Sequence, residues 1–133
     1  MGLTKKVMIV EDDPLLSIVE EKIIERLGYT VIGKAKSGEE TLAKFQRLNP
    51  EILVIDIQLA GALNGIQTVQ KLRELYSNIP VIFLSGDRSS SILKKAETVD
   101  YIEFLLKPVS SNELSGSLQK AIEMNELLSQ NVA

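Results

Sequence analysis

The strongest constraint on this chain is a rhythm: five short apolar runs, rich in β-branched residues, alternate with longer amphipathic stretches. The runs are Val7 to Val10, Tyr29 to Ile32, Ile52 to Ile55, Val81 to Leu84 and Phe104 to Leu106. No polar residue interrupts the first, third or fourth, the pattern of a strand buried on both faces. The first amphipathic stretch runs from Pro14 to Leu27 and places Leu16, Val19, Ile23 and Leu27 along one helical face. Pro14 suits a first turn, and Gly28 suits a stop. The second, Ser37 to Leu48, opens on a Ser37/Glu40 capping box and is closed by Asn49-Pro50. The third runs from about Gly65 to Tyr76 with Ile66, Val69, Leu72 and Leu75 inward, and the fourth, Ser89 to Glu97, is short with a thin apolar face. The last starts near Ser110 to Glu113 and carries Leu114, Leu118, Ala121, Ile122 and Leu128.

Strand followed by helix, five times over with short connections, predicts a parallel α/β sheet with helices on both faces. The 133 residues contain no low-complexity segment, internal repeat or linker, so they read as one domain over 1–133 with a folded core of about 5–128. A chain of this length buries roughly two-thirds of its unfolded surface.

What such a sheet can do is narrowed by what is missing. The chain has no His, no Cys and no Trp. That removes Ser-His-Asp and Cys-His nucleophile systems, thiolate and imidazole metal sites, and disulfides. Chemistry is left to carboxylates, hydroxyls, lysines and backbone. A formal charge of −3, from 18 acids and 15 bases, does not suit a nucleic-acid platform. The N-terminal apolar run of four residues is too short for a signal peptide, and no segment approaches the ~20 apolar residues of a membrane span. Lys6 stands where a Met-Gly myristoylation signal wants Ser or Thr. A cytoplasmic protein without membrane attachment is expected.

In open parallel sheets ligands gather at the carboxyl ends of the strands. There the first run is followed by Glu11-Asp12-Asp13, the third by Asp56, the fourth by Ser85-Gly86 and the fifth by Lys107-Pro108. Singly these have plain explanations: Asp13 is as well read as the cap of the helix at Pro14, and Ser-Gly is a common turn pair. Lys5-Lys6 and Lys94-Lys95 read as solvated faces. Together they point to chemistry. If the first and third strands are neighbours, Glu11, Asp12 and Asp56 meet, and two like charges ~4 Å apart cost on the order of 4 kcal/mol at an effective dielectric of 20. Protons or a metal must offset that cost. Oxygen ligands alone select a hard cation, best Mg²⁺, with phosphate oxygens as natural company. Ser85 could then donate a hydrogen bond to a phosphoryl oxygen, Lys107 could pair with another, and Asp56 could act as the nucleophile that forms an acyl phosphate. Two nucleotide sites are excluded: carboxylates replace the glycine-rich turn of a dinucleotide fold, and no GxxxxGK[ST] occurs.

The ordered set Val10-Glu11-Asp12-Asp13, Asp56, Ser85 and Lys107-Pro108, with 44 residues from Asp12 to Asp56 and 51 from Asp56 to Lys107, resembles the receiver domain of two-component response regulators over essentially the whole chain. The resemblance implies a flavodoxin-like (βα)5 doubly wound fold, with a five-stranded parallel sheet in the order 2-1-3-4-5. It implies Asp56 as phosphoacceptor. It implies Mg²⁺, with Mn²⁺ as an alternative, held by Asp12 directly, Glu11 through water, Asp56 and the backbone carbonyl of Gln58. Ser85 becomes the switch hydroxyl, Lys107 the phosphoryl contact, Phe104 the switch aromatic, and Lys107-Pro108 a cis peptide. A sensor histidine kinase or phosphotransfer protein would supply the phosphoryl group. The α4-β5-α5 face would address an output domain or protein partner, or a phosphorylation-dependent homodimer, with no direct nucleic-acid binding.

Departures from the family pattern fall around the rim. The loop from Ile57 to Gly65 lacks the usual proline and is one residue longer. Ser85-Gly86 replaces Thr-Ala, Asp100-Tyr101 replaces Gly-Ala, and Val109 stands where Phe is common. Three rival readings are weaker. An aspartyl phosphatase or phosphotransferase would want an acid at Gln58, an unphosphorylated scaffold would not need the full acidic set, and an FMN site would not carry an acidic first loop. Catalysis is therefore expected to extend no further than the chain's own phosphorylation and dephosphorylation.

Overall fold

The computed structural model describes residues 5–75 and 78–130. Five strands and five helices alternate: β1 Lys6–Val10, α1 Pro14–Arg26, β2 Thr30–Ala35, α2 Gly38–Leu48, β3 Ile52–Asp56, α3 Gly65–Leu75, β4 Val81–Ser85, α4 Ser90–Ala96, β5 Glu103–Leu106 and α5 Ser111–Gln130. The strands are all parallel and stand in the order β2-β1-β3-β4-β5. This is the doubly wound (βα)5 sheet that the sequence predicts.

The uninterrupted apolar runs have a simple cause. Successive strand residues face opposite sides, and helices cover both. Met8, Val10, Leu53, Ile55, Val81 and Phe83 pack on one face with Phe45 of α2 and Ile66, Val69 and Leu72 of α3. Val7, Ile9, Ile52, Val54, Ile82 and Leu84 pack on the other with Ile24 of α1 and Leu114, Leu118 and Ala121 of α5. No position in the middle of β3 or β4 meets water, so none is polar.

Local chemistry sets the helix ends. Asp13 is the N-cap of α1, its Oδ1 accepting from the amides of Leu15 and Leu16 at 2.9 and 3.1 Å. Gly28 follows α1 with φ +98°, a conformation that side chains disfavour. Ser37 caps α2 through the Glu40 amide, while the Glu40 carboxylate reaches back to the amide of Lys36, one residue before the cap position. Asn49 closes α2 in the left-handed region. Ser110 and Glu113 exchange reciprocal hydrogen bonds at the start of α5.

Three expectations need correction. β2 extends to Ala35, through the polar Lys34, because only β1 flanks it and its residues stay half-buried. In α1 Val19 is 44% exposed while Glu20 is buried, so the inward stripe runs through Ser17, Glu20 and Ile24. Leu75 is 62% exposed at the end of α3, and Tyr76 lies outside the described residues, as does the side chain of Leu128. Among the described residues no helix is long and apolar enough to cross a membrane.

Candidate functional site

Strand register assembles the site. Val10 pairs with Ile55, so Glu11 and Asp56 stand side by side one step further on. Asp56 pairs with Leu84 and Ser85 with Leu106, which puts Ser85 and Lys107 at the same edge. The backbone ladder carries past the strand ends: Glu11 N–H donates to Ala35 O, Ile57 N–H to Leu84 O and Lys107 N–H to Ser85 O, at 3.0, 2.9 and 2.9 Å. The functional side chains are therefore mounted on hydrogen-bonded backbone.

Glu11, Asp12 and Asp56 each bring a carboxylate oxygen within 4.8 Å of the other two. Glu11 and Asp56 are buried, at 2% and 1% exposure. Lys107 reaches over from the end of β5, its Nζ lying 2.8 Å from Asp56 Oδ2 and 3.1 Å from Glu11 Oε1. Asp56 Oδ1 accepts from the Gln58 amide at 3.1 Å. Burial raises the Asp56 pKa to about 6; Lys107 pulls it down and Glu11 pushes it up. Burial works against the charge of Lys107, but its bonds to Asp56 and Glu11 prevail and raise its pKa. Three carboxylates against one ammonium leave a formal charge of −2, which a divalent cation would balance. The donors are all oxygen, so the set fits a hard ion such as Mg²⁺.

The remaining expected residues lie around this cluster. Ser85 is fully buried, and its hydroxyl is engaged locally: it lies 2.8 Å from Asp87 O and 3.1 Å from Gln58 Oε1, and accepts from the Asp87 amide at 3.0 Å. A hydroxyl carries one proton, so it donates to one of those two oxygens at a time. Phe104 is half-buried on β5, opposite Phe83 in the register, against the α2-α3 face of the core. The Lys107-Pro108 bond is cis.

The long loop after Asp56 is tied down at three points. Ala60 N–H donates to Asp12 Oδ2 at 3.2 Å, and Ala62 N–H to Glu39 Oε2 at 2.9 Å. Asn64 and Gln67 then cap α3 reciprocally. Gly65 packs so closely that a Cβ would fall on the carbonyl oxygen of Asp56, 2.9 Å from Ile57 Cα. At position 101, Tyr101 rests edge-on against Phe83 with ring centroids 5.5 Å apart. Asp100 contributes its carbonyl to Arg73 at 2.6 Å.

One acid in the neighbourhood is absent from the strand-end reading. Glu20, on α1, is 3% exposed. Burial first, and the contact with Glu11 next, push its pKa up to about 9. In the sequence Glu20-Glu21 looks like a solvated pair. The available signal was geometric, since the helical step from Leu16 to Ile24 passes through Glu20 and not through Val19.

A family model described as the response regulator receiver domain matches residues 7–128. Chemotaxis protein CheY of Thermotoga maritima is 28% identical over 116 residues, which cover 87% of this chain and 96% of that protein. The probable C4-dicarboxylate response regulator DctR of Halalkalibacterium halodurans is 27% identical over 90% of this chain, which spans only 52% of that regulator's length. Among solved structures, the signal receiver domain of a modulated diguanylate cyclase from Desulfovibrio desulfuricans superposes with a TM-score of 0.87 at 34% identity, covering 94% of this chain and 98% of that one. With an acidic cluster, a buried hydroxyl and a lysine at the carboxyl edge of a 2-1-3-4-5 sheet, the chain belongs to the response regulator receiver domains of two-component systems.

Proposed function

We propose that the chain, as one receiver unit with a folded core of about 5–128, is a phosphorylation switch whose acceptor is Asp56. The observation that carries this reading is the buried Asp56 carboxylate, 2.8 Å from Lys107 Nζ and within 4.8 Å of two further carboxylates. A carboxylate oxygen of Asp56 attacks phosphorus, forming a P–O bond as the P–N bond of a phosphohistidine donor, or the P–O bond of a small acyl phosphate, breaks. These residues include no His, so the donor histidine lies outside them, on a sensor histidine kinase or phosphotransfer protein. Mg²⁺ or Mn²⁺, held by Glu11, Asp12, Asp56 and the Gln58 carbonyl, would supply charge neutralisation at the phosphoryl oxygens.

Lys107 already contacts the acceptor and needs only to follow the new oxygens. Ser85 must give up Gln58 and Asp87 to reach them. A phosphoryl group brings about −1.5 to −2 in charge, which drives both movements. Moving a two-state equilibrium from 1:99 to 99:1 takes about 5.5 kcal/mol of differential contact. One charged hydrogen bond and a shielded ion pair are of that order. Ser85 and Lys107 lie at the ends of β4 and β5, so the response is transmitted to the α4-β5-α5 face. Leu106, Met124 and Leu127 there are 42%, 41% and 55% exposed, apolar surface for an output domain, a protein partner or a second copy. Catalysis goes no further than the chain's own phosphorylation and dephosphorylation, in the cytoplasm. Acetyl phosphate with Mg²⁺ should add one phosphate to the intact mass, and Asp56→Asn should abolish the addition. A wild-type spectrum without the adduct would refute the reading.

A further inference from the structure

The segment between β3 and α3, Ile57 to Asn64, contains a glycine and no proline, so its composition does nothing to stiffen it. Its order is imposed by what it touches. Ala60 forms an isolated parallel bridge with Ser37, and its N–H donates to Asp12 Oδ2 at 3.2 Å. Two residues on, Ala62 N–H donates to Glu39 Oε2 at 2.9 Å. Between them Gly61 has φ +99°, and a Cβ there would lie 2.9 Å from Glu39 Oε1. The loop thus turns tightly around the Glu39 carboxylate, in a backbone conformation that side chains disfavour. Glu39 is exposed in the first turn of α2, where the helix dipole alone would favour an acid. The dipole does not account for the Ala62 bond or for the glycine fitted against the carboxylate.

The loop's remaining contacts show what this latch holds. Gln58 N–H donates to Asp56 Oδ1 at 3.1 Å, and Ala60 N–H to Asp12, so one loop touches two members of the acidic cluster. We propose that Glu39 is a positioning residue for the cation site: it fixes the loop, and the loop fixes the Asp12 carboxylate through the Ala60 amide. A carboxylate that accepts one hydrogen bond keeps lone pairs for a cation, so the bond orients Asp12 without occupying it. A loop ordered in advance also has less conformational freedom to lose when the cation binds. Partners that orient a metal ligand directly typically change affinity by about tenfold to a hundredfold. Glu39 acts one bond further out, so an effect of about tenfold is expected.

The inference rests on the cation reading of the cluster, and the experiment separates the two. The full chain is compared as wild type, Glu39→Gln and Glu39→Ala. Each is titrated calorimetrically with MgCl₂ alone, and its amide exchange at Ala60 is followed by NMR in EDTA. Both variants lose the same charge beside the helix end and the site, but only Gln keeps an oxygen for the Ala62 amide. Ala60 is the informative amide, because its own acceptor, Asp12, is untouched. Glu39→Ala should exchange Ala60 about tenfold faster than Glu39→Gln and bind Mg²⁺ about tenfold more weakly. Glu39→Gln should stay close to wild type in both. Equal Mg²⁺ affinity in the two variants, or Ala60 exchange unchanged in Glu39→Ala, overturns the inference and leaves the cation site standing. A wild-type chain that takes up no Mg²⁺ overturns both.

Discussion

Replacing Gly65 by Ala tests whether the close seating of α3 on the end of β3 sets the position of Asp56. A Cβ at 65 would lie on the carbonyl oxygen of Asp56, 3.0 Å from its carbonyl carbon and 2.9 Å from Ile57 Cα, where ordinary contact begins at 3.4 Å. All three atoms are backbone, so no rotamer change makes room. The Asp56 oxygen is the tightest contact, and to relieve it the helix must lift, or Asp56 must move, by about 1 Å. Overpacking of this kind costs about 1–3 kcal/mol. A misplacement of about 1 Å in a reacting group can cost about a hundredfold in rate, and if helix and strand share the shift the loss is roughly tenfold to a hundredfold. The control is Gly116→Ala in α5, where an added Cβ meets nothing within 4 Å. There helix propensity acts alone and should stabilise by about 0.5–1 kcal/mol. Urea unfolding gives the two free energies, and intact-mass kinetics with acetyl phosphate give the two rates. A Gly65→Ala chain as stable and as quickly phosphorylated as Gly116→Ala would refute the steric reasoning.

Stability in EDTA should fall with rising pH. The folded pKa of Glu20, about 9, lies above its ordinary 4.5, so the folded chain retains a proton that the unfolded chain releases. That stabilisation is full below about pH 4.5 and is lost as pH rises through 9. Between about pH 7 and 9, above the midpoint of Asp56, it amounts to roughly 2 kcal/mol, and Glu20→Gln should remove this slope. Parallel stability curves for the two proteins would contradict the assignment. Mg²⁺ at a hundred times its dissociation constant should raise unfolding free energy by about 2.7 kcal/mol, and calorimetric melting of Asp12→Asn should show little of that gain. Ser37→Ala removes the α2 cap and should cost about 1 kcal/mol in urea, with phosphorylation rate unchanged.

The strand ends were legible because hydropathy breaks there abruptly. An apolar run buried on both faces has to stop where the sheet meets water, and the residues just past Val10, Ile55, Leu84 and Leu106 form the site. Helix ends were legible for a related reason, since Asp13, Ser37 and Gly28 act on their own neighbours. Hydropathy misled where helical geometry decides. Val19 looks inward by composition, yet the turn of α1 that begins at Pro14 brings Glu20 under the sheet's edge instead. Leu75 fits the apolar spacing of α3 equally well and stands at its end in water. The loop after Asp56 was recognisable as long but not as anchored. Its ties to Asp12 and Glu39 span 48 and 23 residues and arise only once β1, α2 and β3 have come together.

Lys107 directly follows β5, an edge strand, but both of its carboxylate partners sit at the ends of β1 and β3. Its side chain spans the whole width of β4 to reach them. The sheet thus has, besides its backbone ladder, a charged strut running from rim to centre across one strand. Any event that alters charge at Asp56 changes the pull on that strut, and the load falls on β5, a four-residue strand with one paired neighbour. The site is thereby connected to an edge of the sheet, while the strands that carry its acids are paired on either side.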